Sequence, residues 1–495
     1  MKKLLLSIVL LTCAFQFSDA QKIDSIVRAA ATKFVASGPR VGFSIGVIKN
    51  GIVYRYNFGN FQRGGKIPPT DQTIYEIGSV TKTFTSLLLA KAVIEKKVKF
   101  NDDIRKYLKG NYPNLQYEGK PIQLLHLANL TSGLPNNLPE NMPDMKTMNP
   151  DSQIFKIRNF HNAYSKNHFL ADLHSVKLTV SPGLNPAHSN TAAQLLGFIL
   201  ENIYGAKYEV LLKKYITDPL KMKNTFVFVP VSKKLAYASG YNDKGLNMPE
   251  IPKDAGGAGL LKSSLNDMII FTKNQLEEND KKILISHKPR WGKPEIYAVG
   301  LSWSIKINFD GKTKIWTSGG TFGQSSYVSF YPGRKFGVVI LSNESDNAAE
   351  DRLSDVAQNI YNEIYFTPVQ RSSEGFGFST SVNLLLDSLN KHGFNKAIEI
   401  TRTLKKHDLS FNLFEDEVNS WGYNFFFKGQ KAKALEIFKL NVSLYPNSAN
   451  TYDSLAETYE DMGNKEAAIQ NFKQELKLNP NNTDVFNHLK KLEKK

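Results

Sequence analysis

One cysteine in 495 residues excludes an intramolecular disulfide. It is Cys13, within an N-terminal leader-like segment, so a chain cleaved after that segment has no thiol chemistry. Thr12, in front of it, is larger than a lipid-attachment site wants. The histidines are few and badly placed for a metal. His161, His168 and His174 share a segment but show no His-x-x-x-His spacing, and read as surface or lid residues. No Gly-x-x-x-x-Gly-Lys-Ser/Thr phosphate loop and no Gly-x-Ser-x-Gly elbow is present. No metal site is therefore expected. Long apolar runs are absent beyond Phe17, which leaves no second candidate for a membrane span. Acid is the scarcer charge, 46 residues against 63 basic ones, for a net +17. Such a field favours anionic partners. The lysines are scattered, which suits a solvated basic surface better than a specific polyanion site, and no nucleic-acid partner is expected.

What is present begins with Lys2 and Lys3, an uncharged run from Leu4 to Phe17, and Ser18-Asp19-Ala20 before Gln21. That is the pattern of a secretory signal over residues 1–20, the alternative being an uncleaved anchor. Its removal leaves +16 and implies a periplasmic or extracellular protein with no membrane span. At this length two or three domains are expected. "VGFSIGVIKNGIVYRYNFGNF" alternates around Asn50-Gly51, the strongest short hairpin signal. Residues 102–279 read as mostly helical. Strand patterns return at "YAVGLSWSIKINF", "KTKIWTSGG" and "QSSYVSFYPGRKFGVVILSN", followed by the helix "AAEDRLSDVAQNIYNEIY". Early and late strands around a helical centre predict an α+β domain, residues 21–365, with one antiparallel sheet drawn from both chain ends.

"FTPVQRSSEGFGFST", residues 366–380, has linker composition. Beyond it, Gly429, Ala434, Phe438 and Pro446 recur 34 residues later as Gly463, Ala468, Phe472 and Pro480. A helix pair at that period, with Gly at the turn and Pro at the end, resembles a tetratricopeptide repeat. A degenerate earlier copy starts near Ser381. Residues 381–495 are thus expected to be an all-helical repeat domain with a possible protein partner.

The chemistry centres on "YEIGSVTKTFTSLLLAKAVIEKKV". Ser79 and Lys82 lie three residues apart, on one face of a helix whose remainder is apolar. A serine hydroxyl needs a base to become a nucleophile, and a lysine at a helix N-terminus has its pKa depressed. Taken alone, the pair reads as a capping serine and a snorkelling lysine more often than as a catalytic pair, and Ser388-Lys391 repeats the spacing in the helical tail.

The surroundings add to this. Around Ser79, and then in order at "PIQLLHLANLTSGLP", "SPGLNPAHSNTAAQLLGFILE", "DPLKMKNTFV", "GGAGLLKSSLNDMIIF" and "WTSGGTFGQSSYVSFYPGRKFGVVILSN", the chain resembles the class C β-lactamase and penicillin-binding DD-peptidase superfamily, nearest in phrasing to the AmpC/AmpH-type enzymes. The resemblance covers about residues 41–365. It implies Ser79 as nucleophile and Lys82 as its base. The family's Tyr-x-Asn falls on His188-Ser189-Asn190. Asn190 keeps the role of positioning substrate and lysine, while His188 replaces the proton-shuttling tyrosine. Tyr112-Asn114 and Tyr445-Asn447 share the spacing without the surroundings. The family's Lys/His-Thr/Ser-Gly strand reads Thr317-Ser318-Gly319, then Gly320, so these four are the expected substrate-binding residues, with the Ser79 and Gly320 N–H groups as oxyanion donors. Thr317 removes the usual cation and favours uncharged esters or amides. The implied reaction is acyl-serine hydrolysis of a small-molecule or peptide substrate, without a cofactor. The alternative is an impaired relative that binds envelope ligands or partners through its repeats.

Overall fold

A computed structural model describes residues 2–36, 38, 40–140 and 149–494. It divides into two compact units, one of Met1–Ile307 with Lys312–Tyr365, the other of Asn308–Gly311 with Phe366–Lys495.

The first unit opens with helix α1 (Lys2–Ala36), which runs unbroken past Ala20, where the sequence suggests a leader ends. The side chains of residues 2–18 lie outside the described residues. Further on, Ile23, Val27, Ala31 and Phe34 form one buried stripe at helical spacing. No described helix is long and apolar enough to cross a membrane.

Strands β1 (Gly42–Lys49) and β2 (Ile52–Gly59) form the hairpin. Asn50 and Gly51 both take positive φ, 53° and 82°, as a two-residue turn between twisted strands requires. The later strands are β3 (Trp291–Lys293), β4 (Tyr297–Val299), β5 (Ser304–Ile307), β6 (Thr313–Gly320), β7 (Ser325–Tyr331) and β8 (Phe336–Ser342). They join β1 and β2 in an eight-stranded antiparallel sheet of order β3-β4-β5-β6-β7-β8-β1-β2. The chain ends meet where β1 pairs with β8, Phe43 opposite Ser342 and Lys49 opposite Phe336. The edge strand β3 is too short to announce itself as an alternating pattern.

Three helices after α1 fix the site. They are α2 (Thr81–Ile94), α3 (Asn190–Tyr204) and α4 (Leu265–Glu277). A fourth, α5 (Ala349–Tyr365), closes the unit. Helix α4 lies on one face of the sheet, so close that a Cβ on Gly46 of β1 would sit 2.6 Å from the Ile269 side chain. Helix α5 packs on the other face, its Tyr361 stacked on Tyr331 of β7 with ring centres 4.0 Å apart. β1, β7 and β8 are buried accordingly, which is why they read as near-continuous apolar runs.

Helix α2 is enclosed: every residue from Thr81 to Ala90 is buried. Phe84 stacks on Phe271 of α4 at 4.0 Å. Burial of Phe84, Leu87, Leu88 and Leu89 contributes about 1.5–3 kcal/mol per side chain. That clamps the polar first turn in place against the cost of burying Lys82.

The second unit contains the helices α6 (Thr380–His392), α7 (Ala397–His407), α8 (Glu415–Phe427), α9 (Lys431–Leu444), α10 (Ala449–Asp461), α11 (Lys465–Leu478) and α12 (Thr483–Lys494). The repeat positions do what their spacing suggests. Gly429 and Gly463 take φ of 76° and 80° in the turns that end α8 and α10. Ala434, Phe438 and Ala468 are fully buried, and Phe472 nearly so. A Cβ on Gly422 would lie 2.5 Å from the Phe438 ring, so α8 and α9 meet through a glycine. The stretch 366–380 is less irregular than its composition suggests. Pro368–Arg371 is a short helix, started by Pro at its first position and a capping box between Thr367 and Gln370.

Candidate active site

Ser79 sits in the single turn Gly78–Val80 that leads into α2. The strand β6 runs hard against this turn. Gly78 has φ of 48°, and a Cβ there would fall 2.6 Å from the Gly320 carbonyl oxygen and 2.9 Å from the Gly320 nitrogen. From the other side, a Cβ on Gly319 would lie 2.2 Å from the Ile77 carbonyl and 2.7 Å from the Ser79 nitrogen. Glycines at both positions are what let the two backbones touch. Ser326 of β7 ties the seam, its hydroxyl donating to the Ile77 carbonyl at 2.8 Å.

Lys82 is only 4% exposed. Its ammonium has three acceptors: Ser79 Oγ at 2.7 Å, Asn190 Oδ1 at 2.7 Å and the Ala258 carbonyl at 3.0 Å. Three acceptors saturate an ammonium group. Burial nevertheless lowers its pKa from 10.5 to about 7, with the more distant Glu350 carboxylate opposing the shift. Near neutrality, therefore, a large share of Lys82 is a free amine in contact with the serine oxygen, and as the amine it can take the hydroxyl proton.

His188 approaches from the far side of Ser79, with Nε2 3.4 Å from Oγ. Its Nδ1 faces Asn136 Oδ1 at 2.8 Å. A carboxamide oxygen only accepts, so Nδ1 carries the proton and Nε2 turns a lone pair toward the serine. Burial, and then the charge of Lys82, push the imidazole pKa down to about 4, which keeps the ring neutral at ordinary pH. Asn190 begins α3, behind the N-cap Ser189, whose hydroxyl accepts from Ala192 N–H. Its oxygen holds Lys82 and its amide nitrogen donates to Asn137 Oδ1 at 2.9 Å, so both ends of the side chain are engaged within the protein.

Two joined lobes open on Ser79 and His188, with volumes of about 360 and 370 Å³. Gly320, Asn190 and Glu350 line the first. Thr317, Ser318, Trp316 and Glu350 line the second. Gly319 is buried between them and acts as the spacer that admits the close backbone approach. All eight residues singled out from sequence thus lie at or beside one cleft. No group of three or more potential metal ligands occurs among the described residues.

Sequence reasoning missed Asn136, Asn137, Ala258 and Glu350. The two asparagines stand in "SGLPNNLP", where two adjacent carboxamides after a turn were the only signal. His161, expected at the surface or in a lid, is partly buried at the cleft. It bonds Asp254 at 2.7 Å and lines the first lobe. His168 belongs to a capping box with Ser165, and His174 stacks on Tyr112 at 4.0 Å. The decoys are structural. Ser388 donates to the Leu384 carbonyl within α6, Asn114 donates to the Leu173 and Val176 carbonyls, and the Tyr445 hydroxyl donates to the Leu413 carbonyl.

A family model described as Beta-lactamase matches residues 27–362, and one for the tetratricopeptide repeat matches residues 449–482. A beta-lactamase of Escherichia coli K12 is 27% identical over 385 residues, covering 70% of this chain and 95% of that one. The D-alanyl-D-alanine-carboxypeptidase/endopeptidase AmpH of the same organism is 26% identical over 362 residues, covering 69% and 89%. Among solved structures, a beta-lactamase/D-alanine carboxypeptidase from Yersinia pestis, complexed with citrate, aligns with a TM-score of 0.58 at 26% identity over 70% of this chain and 99% of that one.

Proposed function

Because the chain belongs to the beta-lactamase family and is a serine hydrolase of that type, we propose that it is an exported enzyme which cleaves an ester or amide through an acyl group on Ser79. The observation that carries this reading is the Lys82 amine, buried, drawn to a pKa of about 7 and 2.7 Å from Ser79 Oγ. A substrate carbonyl enters with its oxygen toward the Ser79 and Gly320 N–H groups. The Ser79 proton passes to Lys82, the Oγ–carbon bond forms, and the carbonyl electron pair moves onto oxygen. On collapse the bond to the leaving group breaks, and the proton returns to that group by way of Lys82 and His188. Water then enters. His188 Nε2 takes its proton as the hydroxide oxygen attacks the acyl carbon, and the proton ends on Ser79 Oγ. Pre-set oxyanion donors contribute about 3–4 kcal/mol each in such sites. Asn190, engaged on both sides, positions Lys82.

Export rests on the leader pattern of residues 1–20. The domain boundaries proposed are 21–365 for the hydrolase, 366–380 for the connection and 381–495 for the repeats, which supply a surface for a protein partner. A second reading, a domain that binds without turnover, draws on His188 and Thr317 standing where the family's tyrosine and cation are expected. Intact-mass spectrometry after treatment with a fluorophosphonate separates them. One adduct is expected on the wild type and on Ser388→Ala, and none on Ser79→Ala. An adduct that survives Ser79→Ala removes the hydrolase reading.

A further inference from the structure

The cleft's charge is opposite to that of the rest of the molecule. Among the described residues lining its two lobes, Asp254 and Glu350 are the carboxylates, in a chain of net +17. Asp254 is already paired with His161 at 2.7 Å. Glu350 is not paired. Its carboxylate has no hydrogen-bond or ion-pair partner among the described residues, and only its field reaches Lys82. It is half-buried in the first turn of α5 and is shared by both lobes. An ideal Cβ on Gly320 would lie 2.8 Å from its Oε1, so the charge stands directly beside the strand that receives the substrate. The lining supplies little to answer it. Lys82 is buried and shared among Ser79, Asn190 and Ala258, and Thr317 is neutral. Lys314, 5.3 Å over the Trp316 ring, is bonded to Gln358 and lines neither lobe. A carboxylate in a partly enclosed cleft loses hydration when a ligand enters, and only a cation or a donor on that ligand restores the loss. A ligand carboxylate in the same place is repelled.

We infer that the cleft selects substrates carrying a positive charge close to the scissile bond, with Glu350 as the counter-ion. The inference rests on the serine-hydrolase reading for its chemistry, though not for its binding. It is tested with two matched series of esters. In the acyl series, p-nitrophenyl esters end in trimethylammonium, in its neutral isostere tert-butyl, or in sulfonate. In the leaving-group series, acetylcholine is compared with 3,3-dimethylbutyl acetate. In at least one series kcat/KM should favour the cation over the isostere by about fivefold or more, the scale of a partly exposed ion pair, with the sulfonate slowest. Glu350→Gln should bring each pair within about twofold, and Glu350→Lys should invert the order. Loss of Glu350 also lowers the Lys82 pKa further, but that alters all esters of a series together and leaves their ratios untouched. The companion measurement is calorimetric binding of tetramethylammonium and of acetate to the Ser79→Ala protein. Cation binding that weakens in Ser79→Ala/Glu350→Gln upholds the inference even where no ester is cleaved, and then only the hydrolase reading falls. Cleavage without charge preference in either series, or a preference unchanged in Glu350→Gln, overturns the inference and leaves the hydrolase intact.

Discussion

The pH dependence of Ser79 acylation is the most direct consequence of the Lys82 environment. With a pKa of about 7, half of Lys82 is a free amine at pH 7. At its ordinary value of 10.5, only about one molecule in 3,000 would be. Burial therefore raises the supply of base by roughly a thousandfold. The sign follows from which form reacts. The amine accepts the serine proton, so the rate climbs about tenfold per pH unit below 7 and levels off above about pH 8. His188, held down to about 4, stays neutral over the same range and adds no second inflection between pH 5 and 9. The assay is stopped-flow acylation by an activated p-nitrophenyl ester, reading the burst of p-nitrophenolate after correction for its own ionisation. Lys82→Arg places a permanent cation among the same acceptors and should lose about 10³-fold, with no inflection. A flat wild-type profile from pH 5.5 to 9, or an inflection that persists in Lys82→Arg, would refute the assignment of Lys82 as base.

His188→Ala should slow deacylation by about 10²-fold or more and acylation far less, so that an acyl-enzyme accumulates, visible as a burst and as a mass adduct. Equal rates for both steps in the variant would reduce His188 to a packing residue. Gly78→Ala adds a Cβ 2.6 Å from the Gly320 carbonyl at a φ that costs a side chain about 1–2 kcal/mol. Because it pushes β6 from the Ser79 turn, kcat should fall about 10²-fold through the oxyanion donors, with little change in KM. Activity within twofold of wild type would mean that the two backbones need not touch.

That Ser79 and Lys82 share one helix face was legible because both belong to one turn, and local spacing survives any tertiary arrangement. The Asn50-Gly51 hairpin and the 34-residue repeat were legible for the same reason. The chemistry of the pair was legible only through the resemblance, since Ser388 and Lys391 have the same spacing. His188 and Asn190 could be placed only through resemblance, since a gap of more than 100 residues carries no geometry by itself. What completes the site was illegible. Ala258 contributes a backbone carbonyl, for which no side-chain signal exists. Asn136 matters because it fixes the His188 tautomer, a property of a contact across 52 residues. Glu350 resembles any acid in a helix's first turn, where such residues are common for the sake of the helix dipole. His161 and Asp254 are 93 residues apart and meet only because the helix Pro150–Ala163 borders the cleft.

The pairing of β1 with β8 has a consequence for how the chain is made. Some 290 residues separate the partners Lys49 and Phe336. At a synthesis rate of about 5–20 residues per second, β1 waits roughly 15–60 s for its second neighbour. During that interval the hairpin β1–β2 lies at the edge of an unfinished sheet, and a two-stranded ribbon is marginal in water. The serine turn waits as well, because the strand that backs it, β6, also emerges late. The sheet of the nascent hydrolase thus stays incomplete, and its serine turn unbacked, until nearly all of the domain exists. A chain threaded through a translocation pore must be unfolded, so late completion of the sheet is compatible with the export proposed above.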